Sequence, residues 1–118
     1  MMNISEETLR IANEIAHQIG GKKFEETTGA HFLLAMETPV QKNPILVIAL
    51  PENKSGANAL YIEYRPCPDT YRVVFSRINE DGTGTDVESM EDVYCDMLQD
   101  VFTRVTGIST EGCRVEFG

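Results

Sequence analysis

The sequence has no apolar run long enough to cross a bilayer and no cysteine spacing typical of a disulfide framework. The longest uncharged apolar run extends from Pro44 to Pro51, far short of the about 20 residues that a membrane-spanning helix needs. The three cysteines are an odd number without a CxxC pair, which favours a reducing compartment. The N-terminus lacks the basic and apolar regions of a secretory signal. We therefore expect a cytoplasmic protein that does not enter a membrane.

The chain also lacks the ligand spacings of common metal sites. Placing Gly82 at the sixth position of an EF-hand calcium loop puts Arg77 where the first acidic ligand belongs. His17 and His31 are far apart in sequence, and no cysteine lies near either, which argues against zinc. We expect no metal and no other cofactor, with a loose calcium site in residues 81–88 as the alternative.

Signatures of catalysis are missing as well. The glycines after Asp81 do not form a phosphate-binding motif, and no local Ser–His–Asp or Cys–His signature occurs. The best acid/base candidate is Glu63, which stands alone among apolar strand residues, but Arg65 and Arg72 are close enough in sequence to pair with it across a sheet. We expect no catalytic centre, and a small enzyme that uses Glu63 or a histidine in an apolar pocket is the rival hypothesis.

Composition favours one compact domain over residues 1–118. Hydrophobic residues make up 42% and charged residues 25%, as in ordinary globular proteins, so the chain is not disordered or fibrous. The net charge of −9 argues against direct nucleic-acid binding, because affinity for phosphate backbones comes from clustered Lys and Arg.

The first element is predicted to be a helix from Glu6 to Ile19. Ser5 is a suitable N-cap, and apolar residues then recur every three or four positions. Gly20 and Gly21 end the helix, since glycine readily adopts the left-handed backbone of a C-terminal cap.

Four strands are predicted next, joined by short turns rich in Pro, Gly, Asn and Asp. The first two are nearly continuous apolar runs, typical of inner strands covered on both faces, whereas the third and fourth alternate. Short connections favour an antiparallel meander. The strands are Ala30–Met36, Ile45–Leu50, Asn58–Arg65 and Tyr71–Ile78.

A long amphipathic helix is predicted over Ser89–Val105, followed by a short strand over Cys113–Phe117. Apolar residues from Met90 onward follow the helical i, i+3, i+4, i+7 pattern, and Gly107 supplies a stop. The order α-β-β-β-β-α-β indicates an α+β fold with the helices on one face of an antiparallel sheet. The predicted core comprises Leu9, Ile15, Ile19, Leu33, Leu46, Ile48, Leu60, Ile62, Val73, Phe75, Val93, Met97, Val101 and Phe102.

Most of the negative charge is concentrated in one segment, residues 80–100. This segment has eight acidic residues and no Lys or Arg, whereas the eleven acidic residues elsewhere are nearly balanced by ten basic ones. On the predicted helix, Asp92, Asp96 and Asp100 would stack four residues apart and repel one another. Either the segment keeps the protein soluble or it binds a basic partner. The candidate partner-binding residues are Glu80, Asp81, Asp86, Glu88, Glu91, Asp92, Asp96 and Asp100.

In size, charge and element order the chain resembles small acidic inhibitors made by phages and mobile elements, including anti-restriction and anti-CRISPR proteins. The resemblance is to a class and is based on the acidic loop Glu80–Asp86 and the acidic segment Met90–Asp100 after a strand meander. It implies a non-enzymatic protein that mimics nucleic acid and occupies a basic host protein, such as a nuclease. A toxin immunity protein and a secretion-chaperone-like dimer are the alternatives, and the sequence does not give the oligomeric state.

Overall fold

The computed structural model describes residues 4–113, which form three α-helices, one 3₁₀ turn and five strands. The helices are α1 (Glu6–Ile19), α2 (Gly21–Thr28) and α3 (Leu98–Thr106), and the 3₁₀ turn (Cys95–Met97) directly precedes α3. The strands are β1 (His31–Glu37), β2 (Pro44–Ala49), β3 (Ala59–Arg65), β4 (Thr70–Ile78) and β5 (Gly84–Val93).

All five strands form one antiparallel sheet in the order β1-β2-β3-β4-β5, so each strand lies beside its neighbours in the chain. The predicted α+β class is confirmed. The meander has five strands where the sequence predicted four, because β5 takes the place of the beginning of the predicted second helix.

The helices pack on one face of the sheet, where alternate residues of the inner strands form the core. Of the fourteen predicted core residues, eleven are buried, and the exceptions are Leu9, Leu33 and Met97, which are exposed. On α1 the buried position near the N-terminus belongs to Thr8 instead of Leu9. Leu33 lies at the bulge of β1, and Met97 ends the 3₁₀ turn.

Helix α1 has the predicted bounds. The Ser5 side chain accepts a hydrogen bond from the Thr8 amide at 3.1 Å, so it caps the N-terminus as expected. At the other end, Gly20 has a φ of 128°. The chain then turns directly into α2, which the sequence analysis missed, and buries Phe24 completely.

The helix predicted over Ser89–Val105 is wrong in its first half. Ser89 lies in β5 opposite Val74, and only Leu98–Thr106 is α-helical. The cause is a β-bulge: Val73 pairs with Met90 and Tyr71 with Val93, so two residues of β5 stand against one of β4. The bulge separates two inward-facing residues by three positions, and this spacing imitates a helical stripe.

Two further predictions concern the margins of the sheet. Strand β1 is an edge strand instead of an inner one, and Leu33 and Leu34 are exposed there. The predicted closing strand, Cys113–Phe117, lies outside the described residues except for Cys113, which is buried.

Candidate protein-binding surface

The acidic segment, residues 80–100, follows one margin of the molecule from the β4–β5 turn to the first turn of α3. All eight of its carboxylate residues are exposed. The turn carries Glu80 and Asp81, the 3₁₀ turn carries Asp96 and the first turn of α3 carries Asp100. The other four carboxylates belong to β5, a strand at the edge of the sheet. The acidic segment therefore places all eight of its carboxylates at the surface along this margin.

The predicted stacking of three aspartates on one helix face is wrong. Asp92 lies in the bulge of β5, Asp96 in the 3₁₀ turn and Asp100 in α3, so they belong to three different elements. Asp92 has a φ of 57°, a left-handed conformation that Asp tolerates better than most residues. Asp92 is therefore not at helical i, i+4 spacing from Asp96.

Two of the eight carboxylates have a cationic neighbour. Glu91 forms an ion pair with Arg65 of β3, and Glu88 lies 3.9 Å from the Arg104 guanidinium of α3. These pairs are exposed, and exposed pairs contribute only about 0–1 kcal/mol. In the described part of the chain, the remaining six carboxylates have no Lys, Arg or His within 4.0 Å.

Neutral donors hold some of these carboxylates in place. The buried Ser76 hydroxyl donates a hydrogen bond to Asp86 at 2.8 Å. The Thr83 hydroxyl and amide both donate to Asp81, and these bonds hold the pKa of Asp81 below its usual value. Such bonds favour the ionised carboxylate without neutralising it, so the negative charge stays at the surface.

The arrangement around the rival candidate, Glu63, differs from that expected. Arg65 pairs with Glu91 instead, and Glu63 accepts a hydrogen bond from the buried Asn43 amide at 3.0 Å. Arg72 lies opposite Glu63 in the sheet, and both line a depression of about 200 Å³ on the helix-free face. Among the described residues, no carboxylate, imidazole, amine or guanidinium is buried, so no such pair is enclosed there.

Within residues 4–113, no three His, Cys, Asp or Glu side chains come together closely enough to hold a metal ion. No helix in that range has the length and hydropathy to span a membrane.

One cavity was missed by the sequence analysis. It lies beside the β3–β4 turn and the end of β5, has a volume of about 240 Å³, and is lined in part by Tyr64, Tyr71 and Tyr94. The sequence patterns placed Tyr64 and Tyr71 in two predicted strands, but the helical spacing assigned Tyr94 to the helix predicted over Ser89–Val105, whereas the structure has it directly after β5. We refer to this cavity as the tyrosine pocket.

Comparisons with known proteins found no matching family model, no matching curated protein and no matching solved structure.

Proposed function

We propose that this chain is a non-enzymatic protein-binding module that inhibits a basic partner protein. The acidic segment docks on a partner surface that otherwise binds nucleic acid, such as that of a nuclease. In this respect the protein acts like the anti-restriction and anti-CRISPR inhibitors that it resembles. The observation that supports the proposal best is the row of eight exposed carboxylates, six of which lack a cationic neighbour among the described residues.

The physical effect of such a surface is mainly on the rate of association. A dense row of carboxylates attracts a basic surface over the Debye length, which is about 10 Å at 0.1 M salt and about 3 Å at 1 M. Charges at the rim of an interface act chiefly through the association rate. We therefore expect rapid association at low salt that slows steeply as salt is added.

Carboxylates on an edge strand also have a simpler role, because charge on a sheet edge prevents self-association of unpaired strands. Both roles require exposure, so exposure does not separate them. They differ in that docking requires the charges of this segment in particular, whereas solubility depends on net charge wherever it lies.

The test compares two triple variants with the same change in net charge. One removes charge from the acidic segment: Asp92→Asn, Asp96→Asn and Asp100→Asn. The control removes exposed charge from α2, the β2–β3 loop and the segment after α3: Glu26→Gln, Glu52→Gln and Glu111→Gln. The partner is recovered from host lysate by cross-linking, and association rates are measured by surface plasmon resonance from low to high salt.

We expect the first variant to associate with the partner at least several-fold more slowly at low salt, and the control to associate nearly as fast as the wild type. Equal rates for all three proteins, together with salt-insensitive binding, would restrict the acidic segment to a solubility role. The interface would then lie on the sheet around Tyr61, Arg65, Arg72 and Arg77.

A further inference from the structure

The tyrosine pocket has two rigid aromatic walls. The rings of Tyr64 and Tyr71 lie edge to face, with centroids 5.8 Å apart and an angle of 63° between the planes. The Tyr64 hydroxyl donates to Asp69 Oδ1 at 2.5 Å, and the Tyr71 hydroxyl donates to Gln18 Oε1 of α1. Since each hydroxyl has a fixed acceptor, each ring is held in one orientation before any ligand arrives.

A third aromatic ring, that of Tyr94, lines the same pocket. Tyr94 is 57% exposed, although it is a large side chain that proteins more often bury in part. It follows β5 directly and precedes the 3₁₀ turn, so it joins the pocket to the acidic segment. An exposed ring beside two ordered rings is typical of binding surfaces, where Tyr is enriched among the residues that contribute most to affinity.

The charge of the pocket favours a cation. The residues that line it include the carboxylate of Asp69 and no Lys, Arg or His. Thr70, also in the lining, donates to Asp92 at 3.5 Å, which places a second carboxylate nearby. Burial raises the pKa of Tyr71 to about 12, and the hydrogen bond to Asp69 raises the pKa of Tyr64, so both rings stay neutral at physiological pH. Neutral aromatic faces attract cations through the ring quadrupole.

The size of the pocket limits the ligand to a small group. Sites for drug-sized molecules and cofactors have about 300–1,000 Å³, whereas this pocket has about 240 Å³ and is open to solvent. The space suits one side chain. Among cationic side chains, the guanidinium of arginine is planar and weakly hydrated and stacks readily on aromatic rings.

We propose that the tyrosine pocket binds the guanidinium of an arginine side chain from the basic partner. The inference rests on the proposed function, to which it adds the residue type that the partner inserts. The acidic segment accelerates the encounter, and the pocket then slows dissociation, because a desolvated cation between aromatic rings must leave before the complex separates.

The first test replaces the partner with a small arginine probe. Tyrosine resonances report binding, because three of the four tyrosines of the chain line the pocket. The probe is N-acetyl-arginine amide, and the neutral comparison is N-acetyl-citrulline amide, which has nearly the same shape. Ring resonances are followed by NMR on protein with labelled tyrosine. We expect saturable shifts of Tyr64, Tyr71 and Tyr94 with the arginine probe and none with citrulline, while Tyr61 on the opposite face of the sheet does not respond.

Two variants locate the binding. Tyr94→Ala removes the exposed wall and should lower affinity about two- to fivefold, the range of one exposed cation–π contact. Asp69→Asn removes the charge and should also lower affinity, while Asn tolerates the φ of 71° found there. The matched control for charge is Glu52→Gln, an exposed carboxylate in the β2–β3 loop that does not line the pocket, and it should leave binding of the probe unchanged.

The second test uses the recovered partner. Tyr94→Ala and Asp69→Asn should raise the dissociation rate, whereas neutralising the acidic segment should lower the association rate. If the arginine probe does not bind, or if it binds Tyr94→Ala and Asp69→Asn as tightly as it binds the wild type, the pocket proposal is overturned even when salt-dependent docking holds. If the probe binds but neither variant changes dissociation of the partner, the pocket is a site for a free cation and the proposed anchor is wrong.

Discussion

Phe24 of α2 and Phe102 of α3 meet edge to face, with ring centroids 4.8 Å apart and an angle of 71° between their planes. Both side chains are completely buried. Phe32 of β1 stacks against Phe24 with ring centroids 6.0 Å apart, so this one residue of the short helix α2 contacts both another helix and the sheet. The attachment of α2 to the fold therefore depends largely on this ring.

Replacing Phe24 with Ala should lower the free energy of unfolding by about 3–5 kcal/mol, because the substitution removes a buried ring and leaves a cavity. Urea denaturation followed by circular dichroism measures this change. The control is Leu9→Ala on α1, where the side chain is 47% exposed and the loss should stay within about 0.5 kcal/mol. A loss at Leu9 as large as that at Phe24 would place Leu9 in the core, as the sequence analysis predicted.

Helix α2 could not be predicted from periodicity because it has one buried hydrophobic residue. Its sequence, GKKFEETT, shows no apolar stripe, and it begins directly after the glycine that ends α1. Helix α1 was predicted to its bounds because three independent signals agree there: the Ser5 cap, the apolar stripe and the terminal glycines. Local signals thus define an element when several coincide, and tertiary contacts define the others.

The turn between α1 and α2 should depend on Gly20 more than on Gly21. A Cβ at Gly20 would lie 2.9 Å from the Phe24 Cβ and 3.3 Å from the Cys113 Cβ, and φ is 128°. Gly21 has a φ of 60°, but a Cβ there would meet no atom within 4 Å. Gly21→Ala should therefore cost only the left-handed backbone penalty of about 1–2 kcal/mol.

Gly20→Ala should cost more, because steric overlap adds to the backbone strain. Thermal unfolding of the two variants in parallel measures the difference. Equal stabilities of the two variants would contradict this prediction and would show that the close approach of Gly20 to Phe24 does not affect the free energy of unfolding.

Stability should fall in the alkaline range because of Tyr71. Burial raises the pKa of this tyrosine from 10.0 to about 12 in the folded protein. The folded state therefore retains the phenol proton more strongly than the unfolded state does. This contribution is complete below pH 10 and is lost as the pH rises from about 10 through about 12.

The measurement is the free energy of unfolding against pH for the wild type and Tyr71→Phe. At neutral pH the variant should lose about 1 kcal/mol, because Gln18 loses its hydrogen-bond donor. Between pH 10 and 12 the curve of the variant should be flatter than that of the wild type. Parallel curves would show that Tyr71 does not cause the alkaline loss.

Sequence reasoning located the charge of the candidate surface but not its geometry. Counting acidic residues is sufficient to find the segment 80–100, since charge is a property of composition. Whether Asp86 and Glu88 share a face depends on strand alternation and on two bulges of β5, which hydrophobic spacing does not reveal. The tyrosine pocket combines α1, the β3–β4 turn and the end of β5, so it exists only once the chain has folded.

Asp92 offers the sharpest distinction between the strand of the structure and the helix that the spacing predicted. Its φ of 57° is left-handed, which Gly adopts without strain and β-branched residues adopt poorly. In the interior of a helix the order is the opposite, since Val is a better helix former than Gly. The stabilities of Asp92→Gly and Asp92→Val therefore rank differently in the two conformations.

We expect Asp92→Gly to be more stable than Asp92→Val by about 1–2 kcal/mol, the usual cost of a left-handed backbone for a residue with a side chain. Both variants lose the carboxylate and its contact with Thr70, so these effects cancel in the comparison. Chemical denaturation of the two proteins under one set of conditions gives the difference directly. A more stable valine variant would contradict the bulge, and with it the assignment of residues 84–93 to an edge strand.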